Sequence, residues 1–348
     1  MSKLFYKDKP IIGLEVSLTS LKVMSVASKK SSVTSYGSLS LDPAKTHQSF
    51  EGQGSYLTDS IKKLISEKTV GTLPSNQTII SVPTGRTFSR TFNIPAKTDA
   101  TLSDVVELEV DQYIPMPMSS LYVDYEIIEK NKDQMTAILS AVPKTLVDSC
   151  VSAAQNAGLQ PIMVEPSINA IARLLESTEE GHLPTAIVDI GPASTDVAIL
   201  DSGAIRISGS LNIGGNTFTL EIAKKMNLTL ENAHQLKVLN GLNAGPRQTK
   251  ILDSLRPHFQ SISSEIRKVI RYYTERLKDR KIEQVLIVGI GSNVPGIGEF
   301  FTNELVMPAR VAIPWQRLDF GKLPSPNKQV RPRYITVAGL ASVQQKDV

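Results

Sequence analysis

The spacing of apolar and polar positions changes along the chain, and the changes mark out its elements. Leu57, Ile61, Leu64 and Ile65 share one face of a helix over 55–69, while TIISVP (78–83) reads as a short buried strand. Helical spacing returns over 143–157, stopped by Gly158, and over 165–176, with Pro166 in the first turn. Thr229 stands where it can cap a helix holding Ala233, Leu236 and Leu239. A long helical stretch covers 249–279, which Pro257 should start, kink or divide. QVLIVGI (284–290) reads as a strand and 296–305 as a helix. Strands alternating with helices predict an α/β chain, with sheets covered by helices.

Superimposed on this alternation is a repeat. GLEVSLTSLKVMSV (13–26) and VDIGPASTDVAIL (188–200) align with Glu15 on Asp189, Ser17 on Gly191, Ser20 on Ser194 and Val23 on Val197. Each segment is a buried strand, an acid, a short turn rich in hydroxyl residues and a second strand. Each then passes through a further turn (28–30 and 201–203) into a third strand, over 31–41 and 204–213. Two amphipathic hairpins can also match by coincidence.

Residues 84–160 read as an insertion with its own alternation. It holds a strand over 86–93, a helix capped at Thr98 or Asp99 and ended by the Pro-rich 114–118, strands over 122–129 and 135–142, and a closing helix. The expected organisation is a first domain of 1–83 and 161–183 with a C-terminal helix over 333–348, then the insertion 84–160. A second domain of 184–212 and 283–332 follows, with a helical subdomain over 213–282.

Composition narrows the function classes. At 348 residues the chain exceeds one core. No apolar run approaches the ~20 residues of a membrane helix, and the polar stretches at both ends give no signal peptide or terminal anchor. Cys150, the one cysteine, lies in an apolar stripe and is expected to be a buried structural thiol. Four scattered histidines offer no metal spacing, and a net charge of +4 does not argue for nucleic acid. The basic run from Arg267 to Lys281 suits a solvated helix face, with attraction to an anionic membrane surface as the alternative.

The candidate chemistry sits in turns. A polyphosphate needs backbone N–H groups, room for close approach and a cation held by a nearby acid. The turn Asp189–Thr195 offers all three: Gly191 for approach, Ser194 and Thr195 as hydroxyls, and Asp189 for the water shell of Mg²⁺. GIGSNVPG (289–296), with Gly289, Gly291 and Ser292, follows a strand and opens a helix. It suits a phosphate or sugar–base portion, or is a plain structural turn. Gly214 and Gly215 precede a helix on which Glu221, Lys224 and Lys225 form one face, either toward a ribose or base or simply solvated.

Taken in order, hairpin, insertion, Glu-Pro helix, hairpin, Gly-Gly helix and Gly-rich turn resemble the actin, sugar kinase and seventy-kilodalton heat-shock chaperone superfamily. The resemblance implies an actin-like fold: two related βαβ domains around a nucleotide cleft, with ATP and Mg²⁺ as cofactors. The inserted subdomain resembles that of FtsA and of the PilM family of type IV pilus assembly proteins. The segments 113–128, 141–147, 158–174, 213–237 and 288–301 read as PilM segments, and the likeness covers roughly 10–342.

By that resemblance the first turn, Glu15, Ser17, Thr19, Ser20 and Lys22, also holds phosphate, with Glu15 as a second water-mediated metal group. Glu165 falls where relatives place a water-positioning residue. The first turn departs from the family's Asp-Ile-Gly pattern: Ser17 replaces the glycine, Leu18 a hydroxyl, and Ile290 the middle glycine of the third element. Nucleotide binding with at most slow hydrolysis is therefore expected. The implied role is a cytoplasmic scaffold at the inner face of the cytoplasmic membrane, peripheral through its partners. Those partners are the cytoplasmic N-terminal tail of a PilN-like inner-membrane protein and other pilus assembly proteins. The alternatives are an FtsA- or MreB-like filament former and an active ATPase or kinase.

Overall fold

The computed structural model describes residues 10–27, 31–95, 101–130, 132, 134–179, 183–243, 245, 249–276 and 280–343. β1 (Ile12–Val16) turns back into β2 (Ser20–Ala27), and β2 into β3 (Ser32–Ser40). α1 (Pro43–Phe50), α2 (Tyr56–Glu67) and the short β4 (Thr69–Gly71) lead to β5 (Gln77–Val82), parallel to β1. The insertion follows as β6 (Phe88–Pro95), α3 (Leu102–Tyr113), β7 (Leu121–Lys130), β8 (Gln134–Pro143) and α4 (Lys144–Asn156). β9 (Gln160–Pro166) and α5 (Ser167–Thr178) precede the second hairpin, β10 (Thr185–Ile190), β11 (Thr195–Asp201) and β12 (Ala204–Leu211). The chain continues through α6 (Gly215–Met226), α7 (Leu230–Asn240), α8 (Thr249–Arg276), β13 (Gln284–Val288), α9 (Ile297–Leu305), β14 (Ala309–Val311) and α10 (Ile335–Ala341).

These elements group into two units, 1–83 with 148–181 and 312–348, and 84–147 with 182–311. The first holds a six-stranded sheet in the order β4-β3-β2-β1-β5-β9, and the second an eight-stranded sheet, β14-β13-β10-β11-β12-β6-β8-β7. The repeat is exact in register. Glu15 pairs with Lys22 and Asp189 with Asp196, each 174 residues on (15 to 189, 22 to 196). In each hairpin the ladder from the second to the third strand slips once, between Ser25 and Val26 and between Ile199 and Leu200, again 174 apart. In each, the first strand also has a parallel neighbour, β5 beside β1 and β13 beside β10. Sharing even the bulge argues for duplication over coincidence.

The insertion's sheet joins that of the second unit, since β6 continues the ladder beyond β12 at Ile207 and Arg90. Thr91 Oγ1 adds a bond to the Arg206 carbonyl at 2.6 Å. A polar cluster ties the same corner. Arg206 and Arg280 both reach Glu129 of β7, at 3.1 and 3.0 Å, and Tyr273 donates to Asp201 at 2.8 Å. α3 closes one face of the module over Phe92, Val106, Val110, Leu121 and Leu139.

Residues 312–332, expected beside the second domain, group with the first unit instead. Tyr36 explains this: its hydroxyl bonds the Pro324 carbonyl and its ring meets Phe320 and Tyr334 edge-on. The second half of α4, expected with the insertion, also groups there.

Several expectations are corrected. Pro166 caps α5 from outside, and Glu165 is the next-to-last residue of β9, a strand where a helix start is expected. β9 is an edge strand, where Pro161 removes no needed donor. α8 runs unbroken through Pro257, because Pro257 and Asp253, whose carbonyl loses its partner, both face solvent. Leu239 is exposed; α7 buries Ala233 and Lys237. α3 is capped by Thr101 in a capping box with Asp104, and the Thr98 and Asp99 positions lie outside the described residues. The thiol of Cys150 is buried and pushed up to about 12 by loss of solvent, the profile of an inert side chain.

Candidate functional site

The first hairpin turn is held by its own hydroxyls. Ser17 N–H donates to the Ser20 carbonyl at 3.0 Å, Ser17 Oγ to the same oxygen at 2.9 Å, and Ser20 N–H returns to Ser17 Oγ at 3.1 Å. The second turn closes identically, Gly191 N–H to the Ser194 carbonyl at 2.9 Å. Ser17 thus keeps the backbone geometry that Gly191 gives, while adding a side chain that occupies the turn. Thr19 takes part through its carbonyl, which accepts from Leu41 N–H at 2.9 Å.

Beneath the first turn a row of polar side chains crosses the sheet. Register pairs join Lys22 on β2 to Glu15 on β1, Glu15 to Ser81 on β5, and Ser81 to Glu165 on β9. β1, β5 and β9 are parallel, and the row lies at their C-terminal ends, where open α/β sheets carry their ligands. Lys22 Nζ donates to Glu15 Oε1, with both side chains nearly inaccessible. Glu15 Oε2 and Ser81 Oγ, neighbours in that row, are buried with no hydrogen-bond partner. Glu165 is held at both oxygens, by Arg173 Nη1 at 2.9 Å and Nη2 at 2.6 Å.

The second unit brings the remaining predicted residues around Asp189. Glycines pack here because side chains would collide. At Gly289 (φ +81°) a Cβ would overlap Asp189 Oδ1, and at Gly291 it would lie 2.8 Å from the Ile190 carbonyl oxygen. Gly214 would place a Cβ 2.6 Å from the Gly191 oxygen. Gly215 and Asn216 N–H groups donate to the Gly191 and Pro192 carbonyls at 2.9 and 2.8 Å. The N-terminus of α6 is thus bound to the hairpin turn. Two predicted hydroxyls serve the fold. Thr195 Oγ1, fully buried, bonds the Ile213 carbonyl at 2.6 Å, and Ser292 Oγ bonds the Gly289 carbonyl at 2.7 Å. Lys224 and Glu221 form an exposed pair at 3.0 Å on the outer face of α6, beside Lys225.

Two buried charges were missed. Lys237 donates to the Gly215 carbonyl at 2.7 Å and Thr219 Oγ1 at 2.8 Å, and burial pulls its ammonium down to about 8. Asp196, opposite Asp189, is raised by burial to about 6 although Ser210 (2.5 Å) and Thr84 hydrogen-bond it. In sequence each reads as an ordinary surface charge. The only signal was position, Lys237 four residues after Ala233 on the buried face of α7. Among the described residues, three of the basic run are ion-paired, Arg267 to Glu304 at 3.0 Å, Lys268 to Glu265 at 3.2 Å and Arg280 to Glu129 at 3.0 Å. Its residues 277–279 lie outside the described set.

Among the described residues, no three ligating side chains cluster to hold a metal, and no helix is long and apolar enough to cross a membrane. Comparison with known proteins supplies the family. The family model for type IV pilus assembly protein PilM matches residues 13–345. The cell division protein FtsA of Neisseria meningitidis serogroup B is 25% identical over 280 residues, covering 72% of this chain and 63% of that protein, less than two thirds of its length. A solved PilM–PilN type IV pilus biogenesis complex superposes with a TM-score of 0.78 at 21% identity, over 96% of this chain and 98% of that one. MreB 5 of Spiroplasma citri bound to AMPPNP gives 0.54 at 13% identity, over 96% and 95%. The fold is actin-like, and the match across nearly every described residue places this chain in the PilM family of type IV pilus assembly proteins.

Proposed function

We propose that this chain is an ATP-binding scaffold for type IV pilus assembly, working at the inner face of the cytoplasmic membrane, and that it holds the cytoplasmic tail of a PilN-like protein on its inserted module. The family match over 13–345 carries the assembly role. The paired hairpin turns, identical in register and closure, support phosphate binding.

The residues present fit a hydrated cation better than a bare one. Glu15 already meets Lys22 through one oxygen, but its other oxygen and Ser81 Oγ are buried without partners, as the acceptor and donor of a bridging water would be. Within the first unit Mg²⁺ would be held through such water at Glu15, arriving with the phosphates and neutralising their charge, and within the second unit Asp189 offers the matching carboxylate beside its own turn. Lys22 supplies a second positive charge to the first turn, and the α6–hairpin bonds keep the second turn rigid.

ATP with Mg²⁺ should raise the melting temperature by mass action, and Asp189→Ala should remove most of that rise. No shift at millimolar ATP in the wild type would end the nucleotide reading. The partner is tested separately. The tail encoded by the neighbouring PilN-like gene is titrated against the wild type and against charge reversals on the module. Binding that is absent, or indifferent to every module substitution, would reject the docking role.

A further inference from the structure

The two carboxylates in the polar row of the first unit are both closed by cations, and to different degrees. Glu15 gives one oxygen to Lys22 and keeps the other without a partner. Glu165, 7% exposed, gives both oxygens to the guanidinium of Arg173 in a bidentate fork. The fork is anchored from behind. Arg173 sits on α5, and its Nη1 also reaches the Gly339 carbonyl of α10 at 3.3 Å. α5 and α10 cross closely enough that a Cβ on Gly339 would collide with the Ala170 carbonyl, so the two helices meet backbone to backbone beside the fork. The register places Glu165 two strands from Glu15, about 10 Å across the sheet. It stands at the C-terminal end of its strand, where a carboxylate could serve a phosphate held by the first turn.

Resting on the nucleotide reading above, we propose that Arg173 is a positioning residue that locks Glu165, so that the chain retains its ATP instead of consuming it. Hydrolysis forms a bond from a water oxygen to the γ-phosphorus and breaks the bond to the β–γ bridging oxygen. It also moves one water proton to an acceptor, giving ADP and inorganic phosphate. An acceptor must present a lone pair to that water. Glu165 has the position, but the planar fork takes one lone pair on each oxygen, the pair on the side facing Arg173, fixes the carboxylate plane and leaves only the outward-facing pairs for a water. The lock also explains why a buried carboxylate at the end of a sheet strand needs so exact a partner: Arg173 is the only described cation bonded to it.

The test measures release of inorganic phosphate from pre-bound ATP in a single turnover, with ATP retention recorded independently by filter binding. Wild type should retain ATP and release phosphate slowly. Arg173→Met should release it at least about tenfold faster, a threshold set below the roughly 10²–10⁴-fold that a well-placed general base contributes. Adding Glu165→Gln to that variant should return the rate to the wild-type value. Arg173→Lys, which keeps the charge but cannot fork, should fall between and serves if the methionine variant folds poorly. A rate in Arg173→Met and Arg173→Lys within twofold of wild type, with ATP still bound, overturns the lock. So does a gain that survives Glu165→Gln. A wild-type chain that retains no ATP refutes the nucleotide reading first, and the lock with it, and the binding arm shows which has failed.

Discussion

Gly289→Ala tests how the Gly-rich turn supports Asp189. Residue 289 has φ +81° and ψ 172°, a region essentially confined to glycine that costs alanine on the order of 1–3 kcal/mol. Its new Cβ would also lie 2.6 Å from the Ile190 carbonyl oxygen and overlap Asp189 Oδ1 outright. Forcing atoms into packed space adds about 1–3 kcal/mol, so the total is about 2–6 kcal/mol. For a unit of this size that corresponds to a fall in melting temperature of roughly 4–24 °C. Gly158→Ala is the control: φ is +88°, but no atom lies within 4 Å of the new Cβ, so only the backbone cost applies. Thermal melts followed by circular dichroism, with and without ATP, compare the two. Gly289→Ala should lose more stability than Gly158→Ala, and should also lose the ATP-induced rise because Asp189 is displaced. Equal losses would refute the claim that Gly289 is needed for the carboxylate's space.

Lys22→Met should destabilise by about 3–5 kcal/mol in urea unfolding, since it strands the buried Glu15 charge. Adding Glu15→Gln should restore most of that loss, and a double variant as unstable as the single would contradict the pairing. Asp196 predicts a pH dependence. Its folded pKa is raised to about 6, so it favours the folded state fully below its ordinary value near 4, and this contribution is lost as pH rises through 6. Between pH 4 and 7 the wild type should lose on the order of 2–3 kcal/mol relative to Asp196→Asn, and parallel pH profiles for the two would refute it.

The hairpins were legible because a short buried strand, an acid, a hydroxyl-rich turn and a second buried strand recur in the same order half a chain apart. The alignment of Glu15 with Asp189 even carried the register. What failed to show was tertiary in origin. β4 and β14 have three residues each, too few for any period. β9 was hidden by its prolines, which are tolerated only because the strand is at an edge. With β9 missed, Glu165 was read as a helical residue, and its partner Arg173 could not be anticipated. Ser81 lay inside an apolar run and passed as a spacer. The glycines at 214, 289 and 291 stand out in the sequence as candidate nucleotide-binding positions, but the sequence gives no hint that Gly289 and Gly291 clear space for the end of β10 and Gly214 for the turn that follows it.

The seam between β12 and β6 bears on how this protein can be taken apart. Removing the insertion to leave a smaller scaffold would expose the edge of β12 and take away the Glu129 carboxylate that meets Arg206 and Arg280. An open strand with unpaired backbone, beside a buried guanidinium left with Asp201 as its acid partner, is a template for pairing with another chain. A truncated protein would therefore report on self-association as much as on the missing module. Single substitutions that leave the ladder whole are the cleaner means of dissecting it.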